Sequence, residues 1–247
     1  MVVNTEYVDI ALPDSPMRTF VAAPKAEGQY PGIWCYSDIF QLTPPLLRTC
    51  VRLAGYGFVA AAPEIYRRLE APGTVIPFDD AGRTRGQQDA VNTPVAHFDA
   101  DCRAGLDWLS KHPKVGRGKI GVVGFCIGGH LAFRAAFQRD VRVTVCYYGT
   151  GIHDGKLGKD EDAGSLARAK EIGGELLMIF GTKDPHVPGA GRETIDRTLR
   201  ESGVRYTTLL YSAEHAFTRD EGPRFDPEAT DLAFVEMIRL FHKVFQG

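Results

Sequence analysis

The sequence predicts an α/β fold, a mostly parallel central sheet flanked by helices, and three observations point there. Strand-like and helix-like patterns alternate through most of the chain. Runs such as Lys119-Ile120-Gly121-Val122-Val123 read as buried strands. No internal repeat, low-complexity tract or interdomain linker interrupts the alternation, so residues 1–247 read as a single domain. A chain of 247 residues is long enough to bury one substantial core.

The elements follow in order. Residues 3–11 and 17–24 read as two strands joined by Pro13-Asp14-Ser15-Pro16, an antiparallel opening. An apolar strand at 31–36 runs into Ser37-Asp38-Ile39-Phe40. The Thr43 hydroxyl is placed to cap a helix that opens with Pro44-Pro45 and closes at Gly55 and Gly57. Phe58 to Ala62 is the next strand. Residues 63–92, rich in Pro, Gly and charge, read as a long loop, and loops of that length are usually functional. A helix over 95–111, the strand at 119–123 and a helix from Ile127 come next. Then follow a strand at 141–148, a helix near 163–172, a strand at 175–180, a helix at 190–202 and a strand at 204–211. A helix over 228–245, capped near Asp226-Pro227, closes the chain.

Composition narrows the function classes. Hydrophobic residues make up 44% and charged residues 24%, as in an ordinary soluble enzyme. The net charge of −2 gives no reason to expect a nucleic acid or membrane partner. The opening MVVNTEYVDI lacks a basic leader and an apolar segment, and no run approaches the roughly 20 apolar residues that span a bilayer. A cytoplasmic protein is therefore expected, as a monomer or weak homo-oligomer acting on a small molecule. The cysteines at 35, 50, 102, 126 and 146 form no CxxC pair or Cys/His cluster, so no metal site is expected.

Cys126 differs from the other four in its neighbours. Gly124-Phe125-Cys126-Ile127-Gly128 has the form G-x-C-x-G between a strand and a helix. A nucleophile needs such a sharp turn to stand above the sheet edge, and the flanking glycines let backbone and helix approach. The Ile127 N–H then faces a developing oxyanion at the positive end of the helix, which also favours a thiolate. Taken alone, the motif fits equally a buried helix-start cysteine on a tight turn. It lacks the G-x-G-x-x-G order of a phosphate turn.

Two partners downstream decide between these. Asp184 follows a strand in Gly181-Thr182-Lys183-Asp184-Pro185, and His215 follows the last strand in Glu214-His215-Ala216-Phe217. Nucleophile, acid, then His is the chain order of an α/β-hydrolase triad. A turn-capping Asp before Pro and a surface-loop His are the plain alternatives, and His186 competes for the base. The remaining histidines lie in helices or polar loops and read as structural.

With these residues in place, the chain resembles the dienelactone hydrolase family, the carboxymethylenebutenolidases, from the strand at 31 to the closing helix. The resemblance rests on Gly-Phe-Cys-Ile-Gly-Gly at 124–129, Gly-Thr-Lys-Asp-Pro at 181–185 and His-Ala-Phe at 215–217. Asp38-Ile39-Phe40 and Ala71-Pro72-Gly73-Thr74 are similar to family segments too. The resemblance implies hydrolysis of a carboxylate-bearing enol lactone to maleylacetate without metal or organic cofactor. It implies a resting thiol held near an acid at Asp38, a position that is Glu in the best-known bacterial members. It implies a carboxylate clamp at Arg219 and at Arg83, with Arg85 the rival. The oxyanion donors would be the Ile127 and Ile39 amides, and Tyr36 and Phe40 are candidate pocket walls.

The sulfur itself narrows the substrate. A thiol pKa of about 8.5 lies far below that of an alcohol, so a thiolate is readily expelled when an alkyl ester is attacked. Substrates with a stabilised leaving oxygen are favoured: enol lactones, aryl esters or thioesters. A carboxylesterase of the same fold acting on aryl esters or other lactones is the near alternative. A peroxide-sensitive thiol sensor is an alternative of another class.

Overall fold

In a computed structural model, which describes residues 1–246, the chain forms one eight-stranded sheet. β1 (Val3–Ile10) and β2 (Met17–Pro24) form the antiparallel opening, and β2 pairs antiparallel with β4 (Val59–Pro63). The remainder is parallel: β3 (Tyr30–Tyr36), β5 (Val115–Phe125), β6 (Val141–Tyr147), β7 (Glu175–Gly181) and β8 (Arg205–Tyr211). The order is β1-β2-β4-β3-β5-β6-β7-β8. It reverses between β3 and β5, where a crevice opens beyond the carboxyl ends of the strands.

Helices cover both faces. On one, α1 (Pro44–Gly55) and α6 (Pro227–Gln246) pack Leu46, Leu53, Met237 and Phe241 against Ile33, Val143 and Ile179. On the other, α3 (Val95–Ser110), α4 (Ile127–Ala135) and α5 (Gly189–Glu201) pack Leu106, Leu131 and Ile195 against Trp34, Val122 and Met178. This is the expected α/β-hydrolase arrangement. No helix among the described residues is long and apolar enough to cross a membrane.

Three local expectations need correction. Residues 63–92 are not all loop: α2 spans Asp80–Asn92, with the Asp79 carboxylate accepting a 2.7 Å hydrogen bond from the Gly82 N–H as its cap. Its buried residues are Gly82, Gly86 and Ala90, so no apolar stripe marks it as a helix. The small face lets α2 approach closely; a Cβ at Gly86 would stand 2.4 Å from the Ile39 carbonyl oxygen. Thr43 sits at the N-cap of α1, but its hydroxyl makes no capping bond. Pro45, at the second helical position, carries no N–H, which removes one of the two donors such a cap serves. The helix near 163–172 is shorter, a 3₁₀ turn over Leu166–Glu171.

Candidate active site

Cys126 stands between the end of β5 and the first turn of α4, half-buried, with φ +59° and ψ −121°. That left-handed backbone is costly for a residue with a side chain, and the turn is held by contacts no larger residue would permit. A Cβ at Gly124 would lie 1.8 Å from the Gly128 carbonyl oxygen, and one at Gly128 would lie 2.2 Å from that of Ser37. The Cys126 N–H donates to the Tyr147 carbonyl at 3.1 Å, tying the turn to the end of β6.

Among the described residues the other non-glycine positions with left-handed φ are Gln41, Tyr148 and Ala216. They follow β3, β6 and β8, so backbone strain gathers at the carboxyl edge of the sheet around Cys126. Strain clusters of this kind mark functional sites.

Asp184 follows β7 and His215 follows β8. The two loops are stitched together by Thr182 N–H to the Tyr211 carbonyl at 2.8 Å and Lys183 N–H to the Ala213 carbonyl at 3.0 Å. The His215 Nδ1–Asp184 Oδ2 distance is 2.7 Å, with both side chains buried. The other carboxylate oxygen accepts from the His186 N–H at 2.8 Å, which fixes its orientation. Burial pushes the Asp184 carboxyl up, but the His215 bond and charge outweigh it and hold it below the usual carboxylate range.

Asp184 occupies Nδ1 of His215, which leaves Nε2 as the ring's other hydrogen-bonding atom. Burial disfavours a charged ring, yet the Cys126 sulfur, as a charge and a hydrogen-bond partner, and the Asp184 carboxylate push its pKa up to about 9. Nε2 has no hydrogen-bond partner among the described residues other than the Cys126 sulfur that raises the ring's pKa. The rings of Tyr148 and His186 stand edge-on to His215, with centroids 5.0 Å and 4.6 Å away. His186 is therefore a neighbour of the acid–base pair, with its own pKa lowered by burial and by the His215 charge.

Asp38 lies on the loop after β3. Its carboxylate accepts from Nη2 of Arg219 at 2.5 Å and from the Phe40 N–H at 2.9 Å. The Arg219 guanidinium also sits 4.7 Å from the ring centroids of both Phe40 and Phe78. The resemblance implied an acid near the resting thiol at this position, and Asp38 is bonded to Arg219. Asp38, Arg219 and Tyr148 line a small cleft with Phe125, the residue before Cys126. No protein acceptor is found for the amides of Ile39 and Ile127 among the described residues.

Other candidates lie apart from this cluster. Tyr36 is core: its ring meets Trp34 edge-on at 6.4 Å and its hydroxyl faces Cys102. Arg83 is exposed on α2 and pairs with Asp80, while Arg85 pairs with Glu70. Both arginines direct their charge to the α2 surface and not to Asp38 or Cys126. Two contributors escaped the sequence reading, Phe78 and Tyr148. Tyr148 directs its hydroxyl to the Thr218 Oγ1 at 2.6 Å. Phe78 lies in the loop before α2 and Tyr148 just past β6, with no motif around either. No group of three or more His, Cys, Asp or Glu side chains able to hold a metal occurs among the described residues.

The model of the dienelactone hydrolase family matches residues 17–245. A Saccharomyces cerevisiae protein provisionally named carboxymethylenebutenolidase is 37% identical over 237 residues, covering 92% of this chain and 86% of the relative. The carboxymethylenebutenolidase of Pseudomonas sp. strain P51 is 28% identical over 220 residues, covering 89% and 87%. A crystal structure from Klebsiella pneumoniae, provisionally described as a dienelactone hydrolase, superposes with a TM-score of 0.86 at 23% identity, covering 98% of this chain and 100% of the other. The chain belongs to the dienelactone hydrolase family and is a hydrolase on the α/β-hydrolase fold.

Proposed function

We propose that the chain hydrolyses a carboxylate-bearing enol lactone of the dienelactone type through a Cys126-His215-Asp184 triad. The observation that carries this reading is the buried 2.7 Å Asp184–His215 pair beside a cysteine on a left-handed strand-to-helix turn. Cys126 attacks the lactone carbonyl, and the developing oxyanion is met by the Ile127 and Ile39 amides. The intermediate collapses by breaking the C–O bond to the enolate, a far better leaving group than an alkoxide. The thioester remains.

Acylation changes His215. The Cys126 charge is the first of the effects that raise its pKa, and a thioester carries no such charge. The ring's proton affinity then falls: it gives its proton to the departing enolate and, now neutral, can take one from water at neutral pH and drive hydrolysis of the acyl-enzyme. Asp184 holds the ring in the tautomer that this step needs.

Arg219 is the group for a substrate carboxylate, and in the resting site it is held by Asp38. A substrate anion competes for the same guanidinium and releases Asp38 within the cleft. Arg219→Ala should therefore raise KM for carboxylate-bearing lactones about tenfold or more, relative to neutral aryl esters. Equal losses on both substrate types would count against the clamp.

The test is acyl-enzyme trapping. Mass spectrometry of protein quenched during turnover of a lactone panel should find the acyl mass on the peptide containing Cys126. Cys126→Ala should abolish both adduct and turnover while the protein stays folded. Undiminished turnover by that variant would exclude Cys126 as the nucleophile.

A further inference from the structure

A second cavity, about 180 Å³, adjoins the cleft at Asp38 and Arg219. It lies between α1 and the start of α6. Pro45, Thr49, Phe125 and Thr218 line both spaces, so the two share a wall one residue from the nucleophile. Its floor is Tyr147, Phe234 and Met237, and Phe225 stands at its rim. A cavity of about 150 Å³ is enough to hold a benzene ring.

The charges at its mouth are already paired. Arg48 bonds Asp220 at 2.5 Å and Glu221 at 2.8 Å, and Arg52 bonds Asp231 at 3.2 Å while lying over the Phe234 ring. Two cations face three carboxylates, a balance that does not favour an anionic group. One polar group is underused. The Tyr147 residue is 2% exposed, and its hydroxyl partner is the Met237 sulfur at 3.9 Å, a weak acceptor. That hydroxyl is a donor to any oxygen that enters.

We propose that this cavity is a second substrate subsite, taking an uncharged aromatic or alkyl extension of the ester or lactone whose acceptor oxygen meets Tyr147. The proposal rests on the hydrolase reading of the Cys126 site and extends it to larger substrates. Arg219 serves a carboxylate at the reacting end, and the cavity between α1 and α6 serves a neutral group beyond Phe125 and Thr218.

The test compares kcat/KM across two ester series, one extended on the acyl side and one on the leaving side. The first runs from p-nitrophenyl acetate to p-nitrophenyl 4-phenylbutanoate; the second from phenyl acetate to 4-benzyloxyphenyl acetate. In at least one series the wild-type protein should prefer the extended ester, and Met237→Trp, which fills the floor, should lower that preference about tenfold, the factor one buried ring supplies. Tyr147→Phe should lower, about fivefold, the preference for an extension ending in a ketone over its alkyl isostere. This second variant keeps the ring and carries the test should the larger side chain at 237 prevent folding. Extended-to-short ratios that neither variant changes would overturn the subsite and leave the triad intact. No turnover of any ester or of dienelactone by the wild-type protein would instead overturn the hydrolase reading, and the subsite with it.

Discussion

The proton affinity of His215 is set by its neighbours. Burial works against the imidazolium, and the Cys126 sulfur and Asp184 overcome it to raise the pKa to about 9. The sign for stability follows. A raised imidazole pKa contributes stability fully below its ordinary value near 6.5, and this is lost as pH rises through about 9. Cys126→Ser should remove the sulfur's charge and leave Asp184, so the His215 midpoint measured by NMR should fall from about 9 towards the ordinary value. An unchanged midpoint would rule out the charge-pair explanation. The sequence revealed Cys126, Asp184 and His215 because each sits in a short motif after a strand. It could not reveal that Asp38 bonds to Arg219, since 181 positions separate the pair.

At the scale of elements, the Asp38 loop takes its place from α2, the helix that escaped the sequence reading. The Gly86 backbone lies against the Ile39 carbonyl, and the Tyr66 hydroxyl donates to the Gly86 carbonyl at 3.2 Å. Gln41 ties the same loop to residue 74 through a 3.1 Å bond from its side chain to the Thr74 carbonyl. Gly86→Ala should push the Ile39 segment outward. We expect it to cost about 1–3 kcal/mol of stability, the range for forced overpacking, and to lower kcat by roughly tenfold or more as the Ile39 amide moves. Thermal melts and steady-state kinetics read the two effects. Full activity in a destabilised variant would separate the helix from the oxyanion site. The helix stayed hidden because its buried face is glycine and alanine, which leaves no hydrophobic period to read.

Across the whole molecule, one partly buried charge cluster binds distant parts of the chain. Asp101 on α3 accepts from Arg67 Nη2 at 2.9 Å and from Arg68 Nη1 at 2.6 Å, and both arginines also reach Asp14 in the turn between β1 and β2. The Arg67 side chain is 3% exposed, so removing Asp101 strands part of a buried charge. Asp101→Ala should cost about 2–4 kcal/mol, a fall in Tm of roughly 5–15 °C for a chain of this size. Glu236→Ala breaks a surface pair with Arg239 and should cost less than about 0.5 kcal/mol. Equal shifts in the two melts would show that the Asp101 cluster is not a clamp.

The alternation of strands and helices and the short motifs that carry Cys126, Asp184 and His215 were legible along the chain. They were legible because periodicity and short motifs are local properties. The partner of Asp38, the small-faced helix α2, the strained turns at Tyr148 and Ala216, and the cavity beside Phe125 were not. Each arises where segments far apart in sequence meet at the carboxyl edge of the sheet. Their geometry depends on packing and backbone angle, which no single stretch of residues encodes.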